Sequence, residues 1–138
     1  MSEIRILIVD DSSVMRKIVE RSLRQAGLEP MVVLEAGNGI DGLEVLRNQS
    51  VHLILSDINM PSMDGLEFLR QIRAQNLAPR VPVVMITTES SEEHVKQAIL
   101  SGAQGYIRKP FTAEQVKERE WTMRAQLLRA RLDGLCPA

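Results

Sequence analysis

Short apolar runs rich in β-branched residues alternate with stretches of helical periodicity along most of the chain. Five such runs predict strands: IRILIV (4–9), MVVLEA (31–36), VHLILS (51–56), VPVVMITT (81–88) and the weaker GYIR (105–108). Several of these runs are continuous rather than alternating, which is typical of strands buried on both faces of a parallel sheet.

Helical stripes fill the intervals between these runs. They comprise Met15, Ile18, Val19, Ser22, Leu23 and Ala26; Ile40, Leu43 and Leu46; Leu66, Leu69 and Ile72; and Val95, Ala98, Ile99 and Gly102. The β-α alternation predicts an α/β fold, a flavodoxin-like, doubly wound, five-stranded parallel sheet with helices on both faces. The expected strand order is 2-1-3-4-5, with right-handed crossovers.

Composition bounds the class of protein. The chain has 138 residues, of which 44% are hydrophobic and 25% charged, as in an ordinary soluble domain, and we expect residues 1–138 to form one domain. Its 17 basic and 18 acidic residues give no electrostatic footprint for nucleic acid or for a membrane surface. A lone Cys136, with no membrane span and no signal peptide, predicts a cytoplasmic protein.

Polar residues stand where the predicted strands end. Asp10 and Asp11 follow the first strand, Asp57 the third and Thr87 the fourth, and the fifth runs into Lys109. Ligands of such sheets bind outside the carboxyl ends of the strands, at the switch point between the first and third. We therefore expect three carboxylates, a hydroxyl and an ammonium group in one crevice.

Three neighbouring carboxylates repel one another unless a cation lies among them, and oxygen ligands suit Mg²⁺. The sequence has no cluster of cysteine and histidine residues for zinc. A basic residue beside an acidic metal site suggests a phosphoryl group between the two, with Asp57 as a nucleophile that forms an aspartyl phosphate. Taken singly, the residues have plainer interpretations: Asp11 or Ser12 as a helix N-cap, and Thr87 as an ordinary strand residue.

Four motifs together resemble one known family. LIVDDSS, LILSDINMPSMDG, VVMITTES and GYIRKPF look like the receiver domain of two-component response regulators, most closely the single-domain chemotaxis type. The likeness runs from about residue 3 to residue 116. It implies that Asp57 accepts a phosphoryl group from a sensor histidine kinase. It also implies Mg²⁺ bound by Asp11, Asp57 and the backbone carbonyl of Asn59, with Asp10 assisting through water.

The resemblance assigns further roles. Thr87 and Lys109 would contact the phosphoryl group, and Tyr106 would be an aromatic switch that turns inward when Thr87 moves. Asn59 and Glu89 would modulate dephosphorylation.

These features predict a signalling switch rather than an enzyme with a separate substrate. Its expected partners are a sensor histidine kinase and an output protein such as a flagellar motor switch component. A phosphorelay intermediate is an alternative, since the same pocket would serve it. A Mg²⁺-dependent aspartyl-nucleophile phosphatase would need a second acid where Asn59 stands, and a flavodoxin would not place two carboxylates in its phosphate loop.

The last segment departs from the family pattern. We expect an extended helix over about residues 113–132, in which Glu120 interrupts the apolar stripe that should dock on the sheet. A second stripe comprises Trp121, Leu128, Leu132 and Leu135. This stripe suggests self-association through the C-terminal helix; a longer solvated helix is the plainer alternative.

Overall fold

Eight elements are formed by the residues that the computed structural model describes, which are 4–27, 31–87, 96–97, 99–100, 102–103, 105–108 and 114. The strands are β1 (Ile4–Val9), β2 (Met31–Ala36), β3 (Leu53–Asp57), β4 (Val83–Thr87) and β5 (Gly105–Arg108). The helices are α1 (Ser13–Gln25), α2 (Gly39–Asn48) and α3 (Gly65–Ala74). Within these ranges no helix has the length and apolarity that crossing a bilayer requires.

All five strands join one parallel sheet in the order β2-β1-β3-β4-β5, which confirms the predicted fold class. The register brings the carboxyl ends of the central strands level. Val9 pairs with Ser56, and Asp57 pairs with Ile86. Residues that follow these pairs therefore meet at one edge of the sheet.

An apolar core lies on each face of the sheet, as the continuous strand runs predict. On one face α1 contributes Val19 and Leu23, and Ala26, the C-cap of α1, lies in the same core. On the other face α2 and α3 contribute residues that include Leu43, Phe68 and Leu69. All five residues of β3 are buried, because this central strand is covered from both sides.

Two strand boundaries differ from the sequence prediction. The predicted run 51–56 becomes Leu53–Asp57, and the run 81–88 becomes Val83–Thr87. The amide of Val81 donates to the carbonyl of Ala78 in a turn, and Pro82 has no N–H group to give to a sheet. Val51 and His52 are buried although they precede β3. The sequence prediction therefore included them in the strand.

The predicted helix stripes are confirmed in their centres and wrong at their margins. Leu66, Leu69 and Ile72 are buried as expected. Ile18, Ile40 and Ile99, by contrast, are 37%, 52% and 52% exposed. Each lies at the border of its helical stripe, where a side chain can point along the protein surface rather than into the core.

The amino-terminal ends of β1 and β3 are joined by polar groups around Arg5. Its amide donates to Nδ1 of the buried His52 over 3.0 Å, and its carbonyl accepts from the His52 amide over 2.7 Å. Its guanidinium donates to the Ser50 carbonyl and to the Gln49 side chain. His52 is therefore a structural residue at the end of the sheet opposite the aspartates.

Several sequence predictions fall outside the described residues. They include Lys109, Glu89 and, apart from residue 114, the extended helix predicted over about residues 113–132.

Candidate functional site

Three carboxylates converge where β1 and β3 end. Asp57 is the last residue of β3, and Asp10 and Asp11 follow directly after β1. One carboxylate oxygen from each lies within 4.8 Å of the corresponding oxygens of the other two. The structure thus brings together the three aspartates that the strand-end pattern predicts.

The turn from β1 into α1 fixes the first two of these residues. The Asp10 amide donates to the Ala36 carbonyl at the end of β2, and the Asp10 Oδ1 accepts from the Ser12 amide over 2.9 Å. Ser12 is the N-cap of α1, and its hydroxyl oxygen accepts from the Met15 amide. Because Ser12 caps the helix, Asp11 is not needed for that purpose, which removes the plainer interpretation of this residue.

The loop after β3 folds back onto the strand end. The Gly65 amide donates to the Ile58 carbonyl over 2.7 Å, and the hydroxyl of Ser56 donates to the Asp57 carbonyl over 3.0 Å. A Cβ at Gly65 would overlap the backbone oxygen of Asp57. The first residue of α3 therefore packs directly against the backbone that carries the third aspartate.

The three aspartates differ in depth. Asp10 and Asp57 expose only 2% and 4% of their surface, whereas Asp11 is exposed. Asp57 is thus less exposed than its predicted position at an open strand end suggests. Its depth follows from its pairing with Ile86 inside the sheet and from the close packing of Gly65.

The donor set fits a magnesium ion. Carboxylates at this separation repel one another, and a divalent cation among them offsets the repulsion. Carboxylate oxygens are hard ligands of the kind Mg²⁺ prefers, and Mg²⁺ also keeps several water ligands. The exposed Asp11 marks the side of the cluster from which water reaches it, so Asp10, Asp11 and Asp57 could hold the ion.

The remaining predicted residues are described in part. Asn59 is exposed, two residues after Asp57. The backbone of Thr87 ends β4, one position beyond Ile86, the sheet partner of Asp57. Tyr106 of β5 pairs with Met85 of β4, and its half-buried side chain packs against the core formed with α2 and α3.

Arg16 is a residue that sequence reasoning missed. Its Nη1 donates to the Asp10 carbonyl over 2.5 Å, and its Nε donates to Glu35 Oε1 over 2.8 Å. The hydrogen bond from Arg16 lowers the pKa of Glu35 below its ordinary value, and Lys17 adds to the effect. In the sequence Arg16 is one of many basic residues on helices, and only the fold shows that Glu35 lies across from it.

A sequence profile of the family described as the response regulator receiver domain matches residues 6–119. This chain belongs to that family. The receiver domain accounts for the parallel five-stranded sheet and for the aspartate cluster at its carboxyl edge. Family membership confirms the resemblance seen in the four motifs and favours it over the phosphatase and flavodoxin alternatives.

Individual relatives point to the chemotaxis branch of the receiver domain. The chain is 40% identical over 116 residues to chemotaxis protein CheY1 of Helicobacter pylori, covering 83% of this chain and 92% of that protein. It is 39% identical over 116 residues to the chemotaxis protein CheY homolog of Campylobacter jejuni, covering 83% and 88%. The solved structure of the chemotaxis response regulator CheY4 of Vibrio cholerae superposes with a TM-score of 0.76 at 33% identity, covering 91% of this chain and 99% of that one.

These likenesses give the coarse function. This receiver domain is of the CheY-like type, which consists of signalling proteins of two-component systems. Receiver domains bind Mg²⁺ at an acidic pocket, and the cluster of Asp10, Asp11 and Asp57 has the composition for such a site.

Proposed function

We propose that the protein is a phosphoacceptor response regulator that receives a phosphoryl group on Asp57 in the presence of Mg²⁺. The observation that carries the proposal is the convergence of three carboxylate oxygens within 4.8 Å at the carboxyl edge of a receiver sheet. Asp57 ends the buried central strand, so its carboxylate is held in a fixed position relative to the other two.

The phosphoryl donor is a sensor histidine kinase. A carboxylate oxygen of Asp57 attacks the phosphorus of a phosphohistidine, a new P–O bond forms and the P–N bond breaks. The leaving imidazole keeps the electron pair and takes up a proton from solvent. Mg²⁺ held at this site would supply positive charge that offsets the negative charge of the transferring group, which is the main requirement of phosphoryl transfer. Asp11, Asp57 and the backbone carbonyl of Asn59 would hold the ion, with Asp10 assisting through water.

Thr87 and Lys109 are proposed to contact the transferred group, and Tyr106 to change its position in response. Support comes from the register, which sets the Thr87 backbone one residue beyond the partner of Asp57, and from the neighbouring β5, which carries Tyr106. Asn59 and Glu89 are proposed to modulate the dephosphorylation rate. Tyr106 is half-buried against the core, which is compatible with two positions of its ring.

The output is a change in surface contacts rather than turnover of a separate substrate. The chemotaxis proteins among the relatives support a role in chemotaxis. The output partner proposed for that role is a protein such as a flagellar motor switch component. The protein is proposed to act in the cytoplasm.

Intact mass spectrometry after incubation with acetyl phosphate tests the proposal. The wild-type protein should gain the mass of one phosphoryl group in Mg²⁺ and none in a chelator. Asp57→Asn should gain none under either condition. Asp41→Asn, which changes an exposed aspartate of α2, is the matched control and should be labelled like the wild type. Labelling of Asp57→Asn, or none in the folded wild type, would contradict the proposal.

A further inference from the structure

The peptide bond between Asp10 and Asp11 connects two of the three clustered carboxylates. Its carbonyl group belongs to Asp10 and its amide to Asp11, so a rotation about the Asp10 Cα–C bond, which turns the carbonyl, also moves the Cα of Asp11 and redirects its side chain. Before this peptide the chain is anchored by the bond from the Asp10 amide to Ala36, and after it by the N-cap of α1. The carbonyl itself accepts from Arg16 Nη1 over 2.5 Å.

Glu35 orients the guanidinium that makes this contact. Arg16 Nε donates to Glu35 Oε1 over 2.8 Å while Nη1 reaches Asp10, so the planar group is held between β2 and the turn. The arginine side chain is only 17% exposed, which limits the competition from water. Lys17 also binds Glu35, through Oε2 at 3.1 Å, but its side chain is 64% exposed and it pairs with Glu20 as well.

We propose that Arg16 is a positioning residue for the magnesium site, acting through the Asp10 carbonyl with Glu35 as its anchor. The inference rests on the proposed function in assuming that the aspartates bind Mg²⁺. Groups that hold metal ligands in place typically change metal affinity on the order of 10- to 100-fold when they are removed. Arginine suits the task because its planar guanidinium holds its N–H donors in fixed, separated directions, whereas the three donors of a lysine ammonium rotate about a single nitrogen.

Mg²⁺ affinity, measured by isothermal titration calorimetry without any phosphoryl donor, tests this role. Arg16→Met should weaken Mg²⁺ binding on the order of tenfold. Lys17→Met is the matched control, because it removes the same charge from a neighbouring residue with the same Glu35 partner but leaves the Asp10 carbonyl bonded. It should stay within about twofold of the wild type, since an exposed charge is largely screened.

Arg16→Lys distinguishes the effect of side-chain geometry from the effect of charge. It also replaces Arg16→Met as the test variant if that protein does not fold. It keeps the positive charge, yet it should also weaken Mg²⁺ binding severalfold. Equal affinity of Arg16→Lys and wild type, equal losses in Arg16→Met and Lys17→Met, or an Arg16→Met protein with wild-type affinity would each overturn the proposal.

Amide spectra of the metal-free proteins give a second readout. The ¹H–¹⁵N signals of Asp11 and Ser12 should shift in both Arg16 variants and not in Lys17→Met. If the wild type binds no Mg²⁺, the proposed function fails, and these spectra alone decide whether Arg16 fixes the peptide. Unshifted signals in the Arg16 variants would refute the positioning role.

Discussion

Gly65 lies so close to the end of β3 that a side chain does not fit there. A Cβ at this position would overlap the Asp57 carbonyl oxygen and approach the Met85 methyl group to 2.9 Å. Gly65→Ala should therefore cost about 1–3 kcal/mol of unfolding free energy, the usual range for overpacking. It should also slow the gain of mass from acetyl phosphate, because the displaced backbone carries Asp57.

Urea denaturation and the labelling time course measure these two effects. Gly37→Ala is the control, since the nearest atom to its added methyl group would be Arg16 Nη1 at an ordinary 3.7 Å. It should change the free energy of unfolding by no more than about 0.5 kcal/mol. A Gly65→Ala protein with wild-type stability and labelling would contradict the prediction, because it would mean that the loop accommodates the methyl group without destabilising the fold.

Glu35 should make folding stability depend on pH. The hydrogen bond from Arg16 lowers its pKa in the folded protein below the ordinary value of 4.5. A lowered folded pKa means that the stabilisation is present above the unfolded pKa and is lost as the pH falls through the folded one. Wild type should thus exceed Glu35→Gln in unfolding free energy near neutral pH, and the difference should shrink below about pH 4.5. Urea titrations across this range measure it; a constant difference would contradict the assignment.

At the scale of secondary-structure elements, Arg73 connects α3 to the segment before β5. Its Nη2 donates to the Gly102 carbonyl over 3.0 Å, and burial lowers its pKa. Gly102 has a φ of 107°, a backbone conformation that favours glycine. Arg73→Met should lower the free energy of unfolding by about 1–3 kcal/mol, because the half-buried carbonyl loses a charged donor.

Thermal or urea unfolding checks the Arg73 prediction against Arg70→Met. Arg70 lies on the same helix and pairs with Glu67 over 3.3 Å, with half its side chain exposed. Surface pairs of this kind are screened by water and contribute little, so Arg70→Met should be nearly neutral. Equal losses in the two variants would mean that Arg73 has no special role between the elements.

The sequence predicted the bounds of an element correctly where the apolar run and the backbone hydrogen bonds of the strand cover the same residues. β1, β2 and β5 begin and end as the apolar runs do. β3 and β4 begin later, because Val51 and Val81 are buried in connecting segments whose hydrogen bonds a pattern of apolar residues does not reveal.

The aspartate cluster was predictable for a different reason. Parallel strands end at a common edge, so strand-end residues such as Asp10 and Asp57 meet without any knowledge of side-chain contacts. Arg16 was not predictable, because its bonds join α1 to β2 and depend on where the guanidinium lies. The close approach of Gly65 to Asp57 likewise exists only once the loop has folded.

For the whole molecule, the C-terminal segment determines the expected assembly. Trp121, Leu128, Leu132 and Leu135 form an apolar stripe in the sequence of a region outside the described residues. We predict that the full chain self-associates and that a chain ending at Arg119 is a monomer. Size-exclusion chromatography with light scattering compares the two, and an unchanged molar mass would contradict the prediction.

The pairing of Arg5 with His52 has a consequence for how variants of this protein act in a cell. It lies at the opposite end of the sheet from the aspartates, roughly 15 Å away by the rise of a five-residue strand. Changes there alter the fraction of unfolded chains, and through degradation the abundance of the protein, while each surviving molecule keeps its chemistry. Substitutions at this end would therefore change how many receiver molecules a cell contains. Substitutions at the carboxyl edge would change what each molecule does.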